Sequence, residues 1–88
     1  MYKLKLICHG MPTHAGPQAA IDITEEFTHR PWHRNITCAW DGSELVLEAE
    51  NDNDENGLAL QDEFSDAISA CVSEGFDGNI IVESVTKI

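Results

Sequence analysis

Residues 34–50 read RNITCAWDGSELVLEAE, and this stretch decides the fold of the chain. On both sides of Asp41-Gly42, apolar and polar side chains alternate with a period of two, which is typical of strands with one buried face. Asp-Gly between two alternating segments is the strongest short-range signal for a β-hairpin. We therefore predict an antiparallel pair of strands over 34–40 and 44–50. The residues expected to share the buried faces are Ile36, Cys38 and Trp40 on the first strand and Leu45 and Leu47 on the second, with Val46 opposite.

Working outward toward the N-terminus, the same alternation predicts a first strand over 2–8, followed by a loop rich in Gly and Pro over 10–17. Residues 17–29 place Ala20, Ile23 and Phe27 at helical spacing, and Pro17 suits a first helical turn. Pro31 then ends the helix. Because residues 21–24 also alternate with a period of two, a strand in this segment is the alternative.

The second half of the chain contains a second helix and a last strand. One apolar stripe at helical spacing predicts the helix, whose members are Leu60, Phe64, Ala67, Ile68 and Cys71. Gly75 is expected to end this helix. Residues 79–88 are rich in β-branched side chains and predict a final strand.

The predicted order of elements is strand, helix, strand, strand, helix, strand. This order resembles the split βαβ plan of the ferredoxin-like superfold, an α+β two-layer sandwich in which two helices cover one face of a four-stranded antiparallel sheet. The resemblance covers residues 1–88 as a single domain, which suits a chain of 88 residues. A superfold hosts many unrelated functions, so the resemblance implies no activity.

The chain is strongly acidic, with 16 Asp and Glu against 5 Lys and Arg and a formal net charge of −11. Nucleic acid and anionic membranes are poor partners for such a chain, because phosphate neutralisation needs clustered Lys and Arg. A basic protein or a divalent cation fits better, and the alternative is that the charge serves only solubility. The cysteines, Cys8, Cys38 and Cys71, predict no disulfide framework, and no segment is long and apolar enough to suggest a signal peptide or membrane span. We expect a cytoplasmic protein.

Residues 52–63 match the spacing of an EF-hand calcium loop, D-x-[DN]-x-[DN]-G-x₅-E. If this resemblance holds, the calcium ligands are Asp52, Asp54, Asn56, the Leu58 carbonyl and Glu63, with Gly57 at the sharp turn. Leu60 stands where a further oxygen ligand is usual, and a strand rather than a helix is predicted before the loop. The alternative is that Asp54 or Asn56 caps the following helix, with Glu55, Asp62 and Glu63 near its positive end.

The carboxylates of the same region also predict a continuous negative ridge that recognises a basic protein partner. Asp62 and Asp66 lie one helical turn apart on the outer face without a compensating cation, which costs stability and suggests a docking surface. Small acidic inhibitors such as immunity proteins of nuclease toxins have a similar composition. The residues predicted to contact the partner are Glu48, Glu50, Asp52, Asp54, Glu55, Asp62 and Asp66.

The remaining candidate clusters do not predict an enzyme. His9, His14, His29 and His33 have no recognised metal spacing with Cys8, and neighbouring residues on a strand point to opposite faces, which also argues against a Cys8–His9 nucleophile. The basic and aromatic cluster around Arg30, Trp32 and Arg34 could dock an anion. The alternative is that His29 and Arg30 lie at a helix C-terminus while Trp32 packs over the core.

Overall fold

A computed structural model of the chain describes residues 1–72 and 78–88. Its elements follow the order expected from the sequence. They are β1 (Tyr2–His9), α1 (Gly16–Phe27), β2 (Arg34–Trp40), β3 (Leu45–Asn51), α2 (Leu58–Cys71) and β4 (Asn79–Lys87). The predicted helix stop at Gly75 lies outside the described residues.

The four strands form one antiparallel sheet in the order β2-β3-β1-β4. Both helices pack on the same face of this sheet, where their buried side chains form one core with those of β1 and β3. The predicted ferredoxin-like α+β sandwich is therefore confirmed. We refer to the face without helices as the open sheet face.

The core contains the side chains that the alternation and the helical spacing selected. Leu4, Leu6 and Cys8 of β1 are fully buried, as are Leu45 and Leu47 of β3. The half-buried Ile36, Cys38 and Trp40 of β2 pack against them. From the helices come Ala20, Ile23 and Phe27 of α1 and Leu60, Phe64, Ala67 and Ile68 of α2. Residues 21–24 belong to α1, so the strand alternative for this segment is wrong.

The hairpin between β2 and β3 is present, but its connection spans residues 41–44 rather than the two turn residues alone. A two-residue Asp-Gly turn needs a positive φ at both residues, but Gly42 has one (105°) and Asp41 does not. The Asp41 carboxylate instead accepts hydrogen bonds from the backbone N–H groups of Ser43 (2.9 Å) and Glu44 (2.7 Å). These bonds hold the pKa of Asp41 below its usual value. The Asp41-Gly42 pair therefore predicted the correct hairpin but not the type of turn. The turn differs because the Asp41 side chain accepts the hydrogen bonds of the turn's backbone N–H groups.

Candidate functional site

The seven carboxylates predicted to form one ridge do not share one surface. Glu48 and Glu50 lie on β3 between the buried positions, so the period of two directs them to the open sheet face. Asp62 and Asp66 are exposed on α2, in the layer on the other side of the sheet. Asp52 and Glu55 are exposed in the loop before α2, and Asp54 is buried. The predicted continuous ridge is therefore wrong.

Asp54 serves the helix that follows it rather than a partner. Its side chain is buried, its Oδ1 accepts from the N–H of Ala59 (3.3 Å), and its Oδ2 accepts from the N–H of Leu60 (2.9 Å). Both N–H groups belong to the first turn of α2, which has no partner for them within the helix. Asn56 contributes in the same way, since its Oδ1 accepts from the N–H of Leu58 (3.1 Å). The capping alternative describes both residues.

The predicted calcium ligands do not lie around one point, because their side chains have different partners. Asp54 binds the start of α2, and Glu63 binds side chains of the segment after α1. Asp52 is exposed in the loop, and Leu58 is the first residue of α2. Within residues 1–72 and 78–88, no three His, Cys or carboxylate side chains converge on a point that could hold a metal ion. Gly57 does occupy the sharp turn, with a φ of 78°.

The Glu63 carboxylate is the centre of a polar cluster between α2 and the segment after α1. Its Oε1 accepts a hydrogen bond from Trp32 Nε1 (3.1 Å), and its Oε2 lies 2.5 Å from His33 Nε2. Arg30 Nε lies 3.4 Å from Oε1, and Arg30 Nη1 lies 3.3 Å from Glu26 Oε1. The Arg30 guanidinium also covers the Phe27 ring at 5.2 Å. One carboxylate thus orients an indole, an imidazole and a guanidinium.

The cluster extends from His33 to Asn51 at the end of β3. The contacts of Asn51 determine which ring nitrogen of His33 donates and which accepts. Asn51 Oδ1 accepts from the backbone N–H groups of Asn53 (3.3 Å) and Asp54 (2.9 Å). The Asn51 amide nitrogen, a donor only, therefore faces His33 Nδ1 at 3.3 Å. His33 Nδ1 therefore accepts a hydrogen bond from Asn51, so the proton is on Nε2, and Nε2–H donates a hydrogen bond to the Glu63 carboxylate. Both ring nitrogens of His33 are therefore engaged in hydrogen bonds within the cluster.

His33, rather than Trp32, packs against the core. The alternative in which Trp32 packs over the core is wrong, because Trp32 is 55% exposed, whereas His33 is 8% exposed and meets Phe27 edge to face. Sequence reasoning missed the partner of His33, although a signal existed. Continuing the alternation of β3 by one step places Asn51 on the buried face, where a polar side chain needs a partner.

The thiols of Cys8, Cys38 and Cys71 all have raised pKa values, unlike a nucleophilic cysteine. Burial raises the pKa of Cys8 to about 11 and, with smaller effects of Cys8 and Cys71, that of Cys38 to about 12. Burial, then the nearby Asp22, Glu26 and Glu25, raises the pKa of Cys71. These thiols are therefore protonated and weakly nucleophilic at neutral pH. His9 Nδ1 contacts Glu44 Oε2, away from Cys8 in the core.

Charge is divided unevenly between two layers of the described chain. The helix layer, which we define as residues 16–33 and 52–72, contains nine carboxylates and a single Lys or Arg, Arg30. The sheet layer, residues 1–9, 34–51 and 79–88, contains five carboxylates and four cations. Arg30 already contacts two carboxylates, Glu26 and Glu63. Most of the net negative charge therefore belongs to the helix layer.

Comparison with protein-family models, with curated protein sequences and with solved structures finds no match for this chain. The fold class stated above thus depends on topology and core composition. Neither α1 nor α2, the helices in the described part of the chain, is long and apolar enough to cross a membrane.

Proposed function

We propose that the protein is a small binding module whose helix layer docks a basic protein partner. The observation that carries the proposal is a set of exposed carboxylates in this layer that have no cation partner among residues 1–72 and 78–88. They are Glu25, Asp52, Glu55, Asp62 and Asp66. Asp62 and Asp66 lie one helical turn apart, where like charges cost folding stability, and a complementary partner would offset that cost.

Trp32 supplies a second, independent feature of this surface. It is 55% exposed, and its indole N–H is held by Glu63, so the ring is oriented before any partner arrives. Rigid, exposed aromatic side chains are frequent anchors of protein interfaces. A tryptophan whose indole N–H is bound by a carboxylate also suits an arginine or lysine of the partner, because the ring face attracts cations.

The proposal is narrower than the surface predicted from the sequence. Asp52, Glu55, Asp62 and Asp66 stay in it, whereas Asp54 is committed to the start of α2, and Glu48 and Glu50 lie on the other side of the sheet. We propose a binding role in the cytoplasm, which the free thiols support, rather than a catalytic one. The composition favours a basic enzyme, inhibited by this chain, as the first partner class to test. Calcium binding stays a prediction, and the predicted ligands do not converge on one point to support it.

The test compares two double variants that remove the same charge from different layers. Asp62→Asn with Asp66→Asn changes the helix layer, and Glu48→Gln with Glu50→Gln changes the open sheet face. Binding of a short arginine-rich peptide is measured by calorimetry at low and high ionic strength, with the oligomeric state of each protein checked. We expect the helix-layer pair to weaken binding about fivefold or more, at up to about 1 kcal/mol per exposed ion pair.

The open-face pair is the matched control and should bind the peptide nearly as well as the wild type. Trp32→Ala should weaken binding without a change in net charge. Equal weakening by both double variants would mean that the peptide senses only the total charge, and the docking surface would be rejected.

A further inference from the structure

The open sheet face carries an apolar row that crosses all four strands. Backbone pairing aligns Ala39 with Val46, Val46 with Ile7, and Ile7 with Ile81. These positions alternate with core residues on their strands, so their side chains share the face without helices. Ile81 is 43% exposed and Ala39 is exposed. An aligned apolar row on an uncovered sheet is the type of surface that packs against a second sheet.

Beside the apolar row, charges on β1 and β3 alternate in sign across the strands. Lys5 is aligned with Glu48, and Lys3 with Glu50, while Lys5 also forms an exposed ion pair with Glu83 of β4 (3.3 Å). These residues belong to the sheet layer, where five carboxylates and four cations nearly balance. Two molecules with a net charge of −11 repel each other least where they approach through this layer.

From these observations we propose that the open sheet face binds a second copy of this chain. A twofold axis parallel to the strands and midway between β3 and β1 places β3 of one copy over β1 of the other, because these are the two central strands of the order β2-β3-β1-β4. Residues aligned across β1 and β3 are then also opposed across the interface. Val46 faces Ile7 of the partner, Glu48 faces Lys5, and Glu50 faces Lys3. Ala39 faces Ile81, since β2 lies over β4.

The size of this face suits a small dimer interface. Four strands spaced about 4.8 Å apart and about seven residues long cover about 19 Å by 23 Å, or roughly 440 Å² in projection. Two such faces bury roughly 900 Å² before the relief of the side chains is counted, which is the size of a weak, transient interface. The dimer is therefore expected at micromolar or higher concentration, and it leaves the helix layer of each copy uncovered.

The first test uses two exposed isoleucines on opposite layers, Ile81 on the open face (43% exposed) and Ile21 on α1 (61% exposed). Sedimentation equilibrium of the full chain should show a dimer for the wild type and for Ile21→Lys, and a monomer for Ile81→Lys. If Ile81→Lys fails to fold, Ala39→Lys at the other end of the apolar row replaces it and should also be a monomer. A wild-type chain that stays monomeric at millimolar concentration, or a dimer that survives the open-face substitutions, overturns the proposal.

The second test separates specific pairing from net charge. Glu50→Lys lowers the net negative charge, so general repulsion falls, yet it opposes two lysines across the proposed interface and should weaken the dimer at least tenfold. Adding Lys3→Glu restores opposite signs and should recover most of the affinity. If Glu50→Lys instead raises the dimer affinity, association depends on net charge alone and the proposed register is wrong.

Discussion

Carboxylates of the helix layer and of the sheet layer differ in whether a cation lies near them. In the sheet layer, Lys5 forms an ion pair with Glu83 (3.3 Å), and Glu48 and Glu50 are aligned with Lys5 and Lys3 on the neighbouring strand. In the helix layer, Asp62 and Asp66 lie one turn apart with no cation partner among the described residues. The composition alone shows a net charge of −11 and hides this division. The position of a carboxylate in the fold, more than its count, decides whether it stabilises the chain or remains available to a partner.

The largest effect is expected at the junction of the two layers, where Asn51 of β3 contacts His33. Asn51→Ala leaves the N–H groups of Asn53 and Asp54 and the Nδ1 of His33 without their present partners. Each buried polar group left unpaired costs about 1–3 kcal/mol, so we expect the free energy of unfolding to fall by about 3 kcal/mol. Urea denaturation measures this loss.

Asn53→Ala is the matched control for that change, since Asn53 is exposed and two residues away. It should alter stability by less than about 0.5 kcal/mol. Similar losses for both variants would show that the layers are not joined through Asn51.

The next effect separates a structural carboxylate of the helix layer from an available one. Asp54→Ala removes the acceptor of the Ala59 and Leu60 N–H groups and should lower the free energy of unfolding by about 2 kcal/mol, as for loss of a helix cap. Asp62→Ala, in the same layer, should leave stability unchanged or slightly raised. Thermal unfolding of both variants gives the difference, and a stable Asp54→Ala protein would contradict the assigned role.

The smallest effect compares the layers directly. Asp62→Asn with Asp66→Asn relieves repulsion and should stabilise the chain by a few tenths of a kcal/mol at low ionic strength. Glu48→Gln with Glu50→Gln removes attraction to Lys5 and Lys3 and should destabilise it by a similar amount. Urea denaturation of monomeric protein at low and high salt should show both differences shrinking as salt rises. Shifts of equal sign would remove the distinction between the layers.

Much of the fold could be predicted because its signals are local. The alternation of β1, β2 and β3 and the stripe on α2 each select their buried residues without reference to the rest of the chain. The candidate site could not be predicted in the same way. Whether Glu48 and Asp62 share a surface depends on which face of the sheet the helices cover, and whether Asp54 is available depends on where the chain re-enters as α2. Both are questions of tertiary geometry that acidic composition leaves open.

The polar cluster around Glu63 should make three segments of the chain unfold together. Arg30, His33, Asn51 and Glu63 come from three separate segments of the chain, so the cluster is complete only when the loop after α1, the end of β3 and α2 are all docked. Detachment of any one segment exposes the buried imidazole and amide of the others. Slow amide exchange in these three segments should therefore be lost together, as a single cooperative unit, while β4 at the sheet edge can fray without breaking any bond of the cluster.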